Sequence, residues 1–279
     1  MKLVTFEYDS KRKIGKHENN EVYEILNFDG MLDLIYKNDL SSLKFSEKSY
    51  NLDEIKLLSP IPNPRRNVIC LGKNYIDHAV ELKGKISADV FIPECPIYFS
   101  KFVDEAIGTN GDVLSYFDRF DTFDYEVELA IVIGKKGKNV KVEDVKNYIF
   151  GYSVGNDFSM RELQKNHYQW VKGKSLDTHT VIGPSIVTVD EINYPPVLDI
   201  KSYVNDELRQ SSSTRNLIFD IGHIISNFSK NTTLLPGDII LTGTPAGVGM
   251  GFTPSKYLRP GDVTKCEIEK IGELVNYIK

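Results

Sequence analysis

The sequence predicts an α+β chain dominated by strands, a β-sandwich or rolled sheet preceded by a small N-terminal domain. Three observations carry this. From Asn67 onward short apolar or alternating runs recur (NVICLG, PIYFSKF, YEVELAIVI, IFGYSVG, HTVIGPSIVTV, LDIKSYVN, DIILTG and KCEIEKI), separated by turn-forming residues. Helical patterns are few and short, at about 74–82, 142–147, 158–168 and 216–229, which argues against a doubly wound α/β fold. The proline cluster SPIPNPRR divides a β-rich segment, residues 1–64, from a larger domain, 65–279.

The N-terminal segment reads as short strands, KLVTFEY and EVYEIL, with a helix-like stretch at FDGMLDLIYKN. MKLVTFEYDSKRKIG has no signal-peptide core, and no run approaches the roughly 20 apolar residues of a membrane span, so a cytoplasmic location is expected. A net charge of -5 and a pI near 5.6 argue against nucleic acid or an anionic membrane as partner. The three cysteines, Cys70, Cys95 and Cys266, are odd in number and far apart, as expected of reduced thiols rather than a zinc site.

In LGKNYIDHAVEL, His78 and Glu81 stand three apart on a short helix, close enough for the carboxylate to polarise the imidazole into a general base. Such pairs more often decorate a surface. In FDYEVELAIVIG, period-2 alternation puts Tyr125, Val127, Leu129, Ile131 and Ile133 on one face and Glu126, Glu128, Ala130 and Val132 on the other. Two acids on one face repel, and burial makes each worse. Either the strand is an edge with a wet face or a positive charge sits between them.

Asp157 follows in GYSVGNDFSMRELQ, with Arg161 and Gln164 four and seven residues later, as if on one face. Alone it reads as an acid favoured at a helix N-terminus. With Glu126 and Glu128 it makes an all-oxygen set suited to a hard cation. In WVKGKSLDTHTVIGP, the GKS does not make a phosphate loop, because Tyr168 stands where that motif needs glycine. Trp170 and Gly173 instead suggest a tight turn that places the Lys174 amine in a pocket. In DIILTGTPAGVGMG, a strand runs into a turn whose amides and hydroxyls, Thr242 and Thr244, could bind a carboxylate or oxyanion.

In this order, LGKNYIDHAVEL, YEVELAIVIG, GYSVGNDFSMRELQ, WVKGKSLDTHTVIGP and LTGTPAGVG resemble the fumarylacetoacetate hydrolase family over about 65–279. The resemblance implies a mixed β-roll catalytic domain, paired in a homodimer, with the small N-terminal domain of bacterial-type members. It implies that Glu126, Glu128 and Asp157 hold Mg²⁺ or Mn²⁺, with Ca²⁺ as a further candidate. Arg161, Gln164 and Thr244 would bind substrate; His78, Glu81 and Lys174 would act on it; and 74–92 would form a lid that orders on binding. The substrate would be a 2-oxo acid of the acylpyruvate kind, cleaved at a C–C bond through a metal-bound enolate. Oxaloacetate decarboxylation or tautomerisation, and isomerisation or hydration of dienoic diacids, are the alternatives within the family; a metal-stabilised binding module is the non-enzymatic one. Lys73, and the LDTHT after Lys174, depart from what relatives carry and bear on substrate choice.

Overall fold

The computed structural model describes residues 1–83 and 92–279. Of the lid expected over 74–92, residues 84–91 therefore lie outside the described residues. The chain opens with the meander β1 (Lys2–Tyr8), β2 (Lys11–Glu18) and β3 (Glu21–Ile25). Positive φ at Asp9 and Ser10 gives the first turn the twist that a two-residue hairpin needs. Helix α1 (Met31–Lys37) buries Met31, Leu34 and Ile35 at helical spacing and ends on Asn38 in the left-handed region. β4 (Phe45–Asn51) and β5 (Lys56–Leu57) complete the segment.

The larger part contains β6 (Val68–Gly72), α2 (Ile76–Glu81), β7 (Ile97–Lys101), β8 (Gly111–Val113), β9 (Phe123–Asp124), β10 (Val127–Ile133) and β11 (Ile149–Asp157). Then come β12 (Ser159–Met160), α3 (Arg161–Asn166), α4 (Val171–Lys174), β13 (Thr180–Thr188), β14 (Asp199–Val204) and β15 (Glu207–Ser213). The chain closes with α5 (Ile221–Phe228), β16 (Ile239–Leu241), β17 (Val263–Ile268) and β18 (Gly272–Ile278).

One large mixed sheet runs β4-β3-β2-β1-β13-β11-β10-β16-β6-β7, with β5 on β1; a second runs β15-β14-β17-β18-β8. The main core lies between the two, where Leu129, Ile131, Tyr152 and Val154 meet Ile200, Cys266, Ile268 and Leu274. A second core covers the opposite face, placing Ala130, Val132, Ile239 and Leu241 with Leu34 and Ile35. The alternation along β10 is thus real, and each face feeds a different core. β10 is no edge: it pairs with β11 and β16, and every residue in it is buried, which disposes of the wet-edge alternative. β1 pairs with β13 through Leu3 and Ile186, so the N-terminal meander continues the large sheet.

Several elements differ from expectation. Residues 142–147 form a 3₁₀ segment, Val142–Tyr148. The stretch 158–168 splits into β12 and α3, and the helix expected over 216–229 starts only at Ile221, where Asp220 accepts the His223 N–H at 2.7 Å as a cap. β15, polar except for exposed Leu208 and burying only Gln210, and β18, whose apolar alternation is broken by buried Asn276, carried too little apolar pattern to be recognised. No helix among the described residues is long and apolar enough to cross a membrane. All three cysteines are free.

His179 is fully buried at the start of β13, stacked on Phe123 with ring centroids 4.6 Å apart. Its Nε2–H donates to the Leu114 carbonyl at 2.9 Å, so Nδ1 is the bare nitrogen, and it has no partner among the described residues. Burial pushes this imidazole down to about 3 from its ordinary 6.5. A base held neutral by the fold contributes its full stability above 6.5 and loses it as pH falls from there toward 3. Between pH 6.5 and 5 this amounts to about 2 kcal/mol, at about 1.4 kcal/mol per pH unit. Chemical denaturation at pH 7 and pH 5 should show His179→Phe losing that much less than the parent; parallel losses would refute the assignment.

Candidate active site

The site forms where β10 and β11 run antiparallel. Their register pairs Glu128 with Gly155 and Val127 with Asn156, and the Asp157 N–H donates to the Glu126 carbonyl at 2.9 Å, which brings the last residue of β11 beside the first acid. One oxygen each from Glu126, Glu128 and Asp157 lies within 4.8 Å of the others, and all three residues are buried. Such a cluster survives only with compensating charge.

Lys174 Nζ donates to Glu126 Oε2 at 2.6 Å and to Asp157 Oδ2 at 2.8 Å. Lys101, wholly buried at the end of β7, donates to Asp157 Oδ1 at 2.5 Å and to the Phe158 carbonyl at 3.1 Å. Arg161 places Nη1 2.6 Å from Glu126 Oε1 and donates through Nε to Asp124 Oδ2 at 2.8 Å. Four carboxylates, Asp124 included, thus face three cations. Among the described residues Glu128 is the acid with no basic partner, holding only the Gly243 N–H at 2.6 Å. Burial, and then the charges of Asp157 and Glu126, push its carboxyl well above the usual range. Burial also opposes ionisation of Glu126, but Lys174 and Arg161 outweigh it and hold that carboxyl at about 2. Three hard oxygen donors with one negative charge left unpaired fit a divalent cation.

Lys174 arrives on a turn of helix, Val171–Lys174, rather than in the expected tight turn. Gly173 is there because a Cβ would lie 2.5 Å from the Gln164 amide nitrogen: α4 is pressed against α3. Asp157, Arg161 and Gln164 do converge, but not along one helical face, since Asp157 ends a strand and the helix begins at Arg161. Gln164 Oε1 accepts from Arg161 Nη1 at 3.0 Å.

The turn after β16 was expected to offer amides to a ligand. Its amides instead hold the protein's own acids: Gly243 N–H bonds Glu128, Gly247 N–H bonds Glu81 Oε1 at 2.8 Å, and those of Gly249 and Met250 bond Asp124. Thr242 is buried, and its hydroxyl has no partner among the described residues. Glu81 turns its other oxygen to His78 Nδ1 at 3.2 Å, an arrangement in which Nδ1–H donates and Nε2 is left basic.

His78, Glu126, Arg161, Gln164, Lys174 and Thr244 line one small cavity of about 30 Å³. A groove of about 780 Å³ adjoins it through Arg161, Gln164 and Trp170.

Residues 67–279 match the profile of the fumarylacetoacetate (FAA) hydrolase C-terminal domain. The chain belongs to the fumarylacetoacetate hydrolase family. It is 47% identical over 229 residues to "Oxaloacetate tautomerase YisK" of Bacillus subtilis, covering 82% of this chain and 75% of that protein. Among solved structures, a fumarylacetoacetate hydrolase from Exiguobacterium antarcticum superposes with a TM-score of 0.85 at 38% identity, covering 100% of this chain and 99% of that one. A 2-hydroxyhepta-2,4-diene-1,7-dioate isomerase from Mycobacterium marinum gives 0.80 at 31%, covering 100% and 98%. The mixed, strand-dominated sheets are those of the family, and the chain is one of its enzymes.

Sequence reading missed several supports of this family site. Asp124 has the same parity as Glu126 and Glu128, so the alternation that exposed those two acids contained it as well. Lys101, a lone cation closing the apolar run PIYFS, was a visible anomaly. Gln210 and Asn74, which bonds the Thr242 and Phe219 carbonyls, left no local signal.

Proposed function

We propose that the enzyme tautomerises oxaloacetate-type 2-oxo acids, moving a proton between C3 and the C2 oxygen, with Mg²⁺ or Mn²⁺ held by Glu126, Glu128 and Asp157. The observation that carries this is one small cavity lined by the Lys174 ammonium, the His78 imidazole and Glu126, the last clustered with Glu128 and Asp157 in a triad of oxygen donors suited to a cation. The bound cation would withdraw charge from the 2-oxo oxygen and so acidify C3.

Arg161 Nη2, buried and without a partner among the described residues, would take a substrate carboxylate. His78, whose Nδ1–H is held by Glu81 so that Nε2 carries the free lone pair, takes and returns the C3 proton, and Lys174 meets the charge that grows on oxygen. The same residues would serve acylpyruvate hydrolysis, with His78 activating water; the named activity of the Bacillus relative favours tautomerisation.

The test is a three-way assay with Mg²⁺ and Mn²⁺: ultraviolet decay of enol-oxaloacetate, CO₂ release, and pyruvate release from an acylpyruvate. Tautomerisation should dominate, and His78→Ala should slow it by about 10²-fold or more, the usual scale for a lost general base. Acylpyruvate cleavage without enol decay beyond that of free metal would replace this reading with hydrolysis.

A further inference from the structure

Gln210 lies fully buried in β15, on the smaller sheet, and its carboxamide reaches across to the catalytic strand. Its Oε1 accepts from the backbone N–H of Val127 at 3.1 Å and from Ser202 Oγ at 2.9 Å. Its Nε2 donates to the Pro245 carbonyl at 2.8 Å and to Thr244 Oγ1 at 2.7 Å. Two of these partners have no choice of role: a peptide N–H only donates and a carbonyl only accepts. A flipped amide would set N–H against N–H and oxygen against oxygen, so the bonding network alone fixes which end is which.

The consequence falls on Thr244. Its hydroxyl accepts a hydrogen bond from an amide that cannot turn round, so its own hydrogen must point elsewhere. Among the described residues it donates to none, and Thr244 lines the cavity with Glu126, Arg161, Lys174 and His78. We propose that Gln210 is a positioning residue that sets the polarity of Thr244, making the hydroxyl a hydrogen-bond donor aimed at an oxygen of the bound 2-oxo acid.

Val127, the other end of the clamp, sits between Glu126 and Glu128, so one carboxamide sets both the backbone of the acid pair and the donor across from it. The cavity then selects an acceptor oxygen at this point and disfavours a ligand that presents a donor there, because two hydrogens would meet. This rests on the 2-oxo acid reading above.

Oxalate, a planar mimic of a 2-oxo acid enolate with acceptor oxygens only, is the probe. Its affinity in the presence of Mg²⁺ is measured by calorimetry for the parent, T244V, T244S, Q210E and the double variant Q210E/T244V. In Q210E the Val127 N–H keeps its acceptor, but the second carboxylate oxygen now demands the Thr244 hydrogen and withdraws it from the cavity.

T244V and Q210E should each weaken oxalate about 10-fold or more, as expected for a lost hydrogen bond to a charged group. T244S should bind like the parent, and the double variant should be no worse than either single, because both remove the same bond. Gln210→Met, uncharged and of similar length, is the second variant should Q210E not fold; it should weaken oxalate several-fold, since nothing then compels the hydroxyl outward. Parent-like affinity in T244V, in folded Q210E or in Gln210→Met, or additive losses in the double variant, would overturn the proposal. Failure of the parent itself to bind oxalate with Mg²⁺ would instead sink the 2-oxo acid reading.

Discussion

Glu128→Gln is expected to abolish turnover while leaving the cation-free protein at least as stable as the parent, whereas Asp157→Asn is expected to lose both. The two acids are neighbours in the same triad, but their partners differ. Asp157 is held between Lys101 and Lys174, all three essentially inaccessible to water. Neutralising it leaves two buried ammonium groups short of a counter-charge, and breaking a buried pair in this way costs about 3–5 kcal/mol. At about 2–4 °C per kcal/mol for a domain of this size, the melting point should fall by about 10 °C. Glu128 has no basic partner among the described residues and faces two like charges, so an amide there relieves repulsion and still accepts from Gly243. A hard cation loses a charged ligand in either variant, and turnover should drop on the order of 10²-fold or more. Melting in chelator, Mn²⁺ titration calorimetry and turnover separate the two effects. A melting point for Glu128→Gln as low as that of Asp157→Asn would show that Glu128 is paired after all.

Lys174→Met is expected to bind the divalent cation more tightly than the parent and yet to turn over about 10² to 10³-fold more slowly, the scale for one lost oxyanion donor. The sequence-level scheme gave this lysine a role toward substrate alone. In the structure its amine bridges Glu126 and Asp157, so a cation entering the triad competes with it for the same oxygens. Removing the ammonium removes the competitor and leaves two buried carboxylates in greater need of a positive charge. The catalytic loss should appear in kcat, since the group acts on charge that develops in the transition state. Cation affinity that fell together with kcat would mean that Lys174 organises the triad rather than contests it.

What could be read in advance was whatever a local period encodes. The alternation over 123–134 put Glu126 and Glu128 on one face, and both faces of β10 are now found in separate cores. The acids were legible as a set because each ends or begins a conspicuous apolar run. Ligand-facing geometry that depends on sheet order was not legible. Lys101 meets Asp157 across 56 residues and Gln210 meets Val127 across 83, and no periodicity reports which strands will be neighbours. The turn 242–251 was misjudged for a related reason. Its glycines suggested amides for a ligand, but the acids that claim those amides come from two distant segments, Glu81 from one and Asp124 and Glu128 from the other. In WVKGK the glycine suggested freedom of the backbone, while its actual cause is the closeness of α3, a tertiary fact.

Gly251 packs against the Glu81 side chain so closely that a Cβ there would fall 1.8 Å from Glu81 Oε1. Any other amino acid at this position must push that carboxylate away from His78 and from the Gly247 amide. A single substitution here would therefore disturb the His78–Glu81 pair while keeping the triad, the lysines and the histidine intact. A descendant that took it would still be counted as active by any inventory of catalytic residues. When relatives are sorted into working enzymes and retired ones, the position to inspect first is the glycine packed against Glu81.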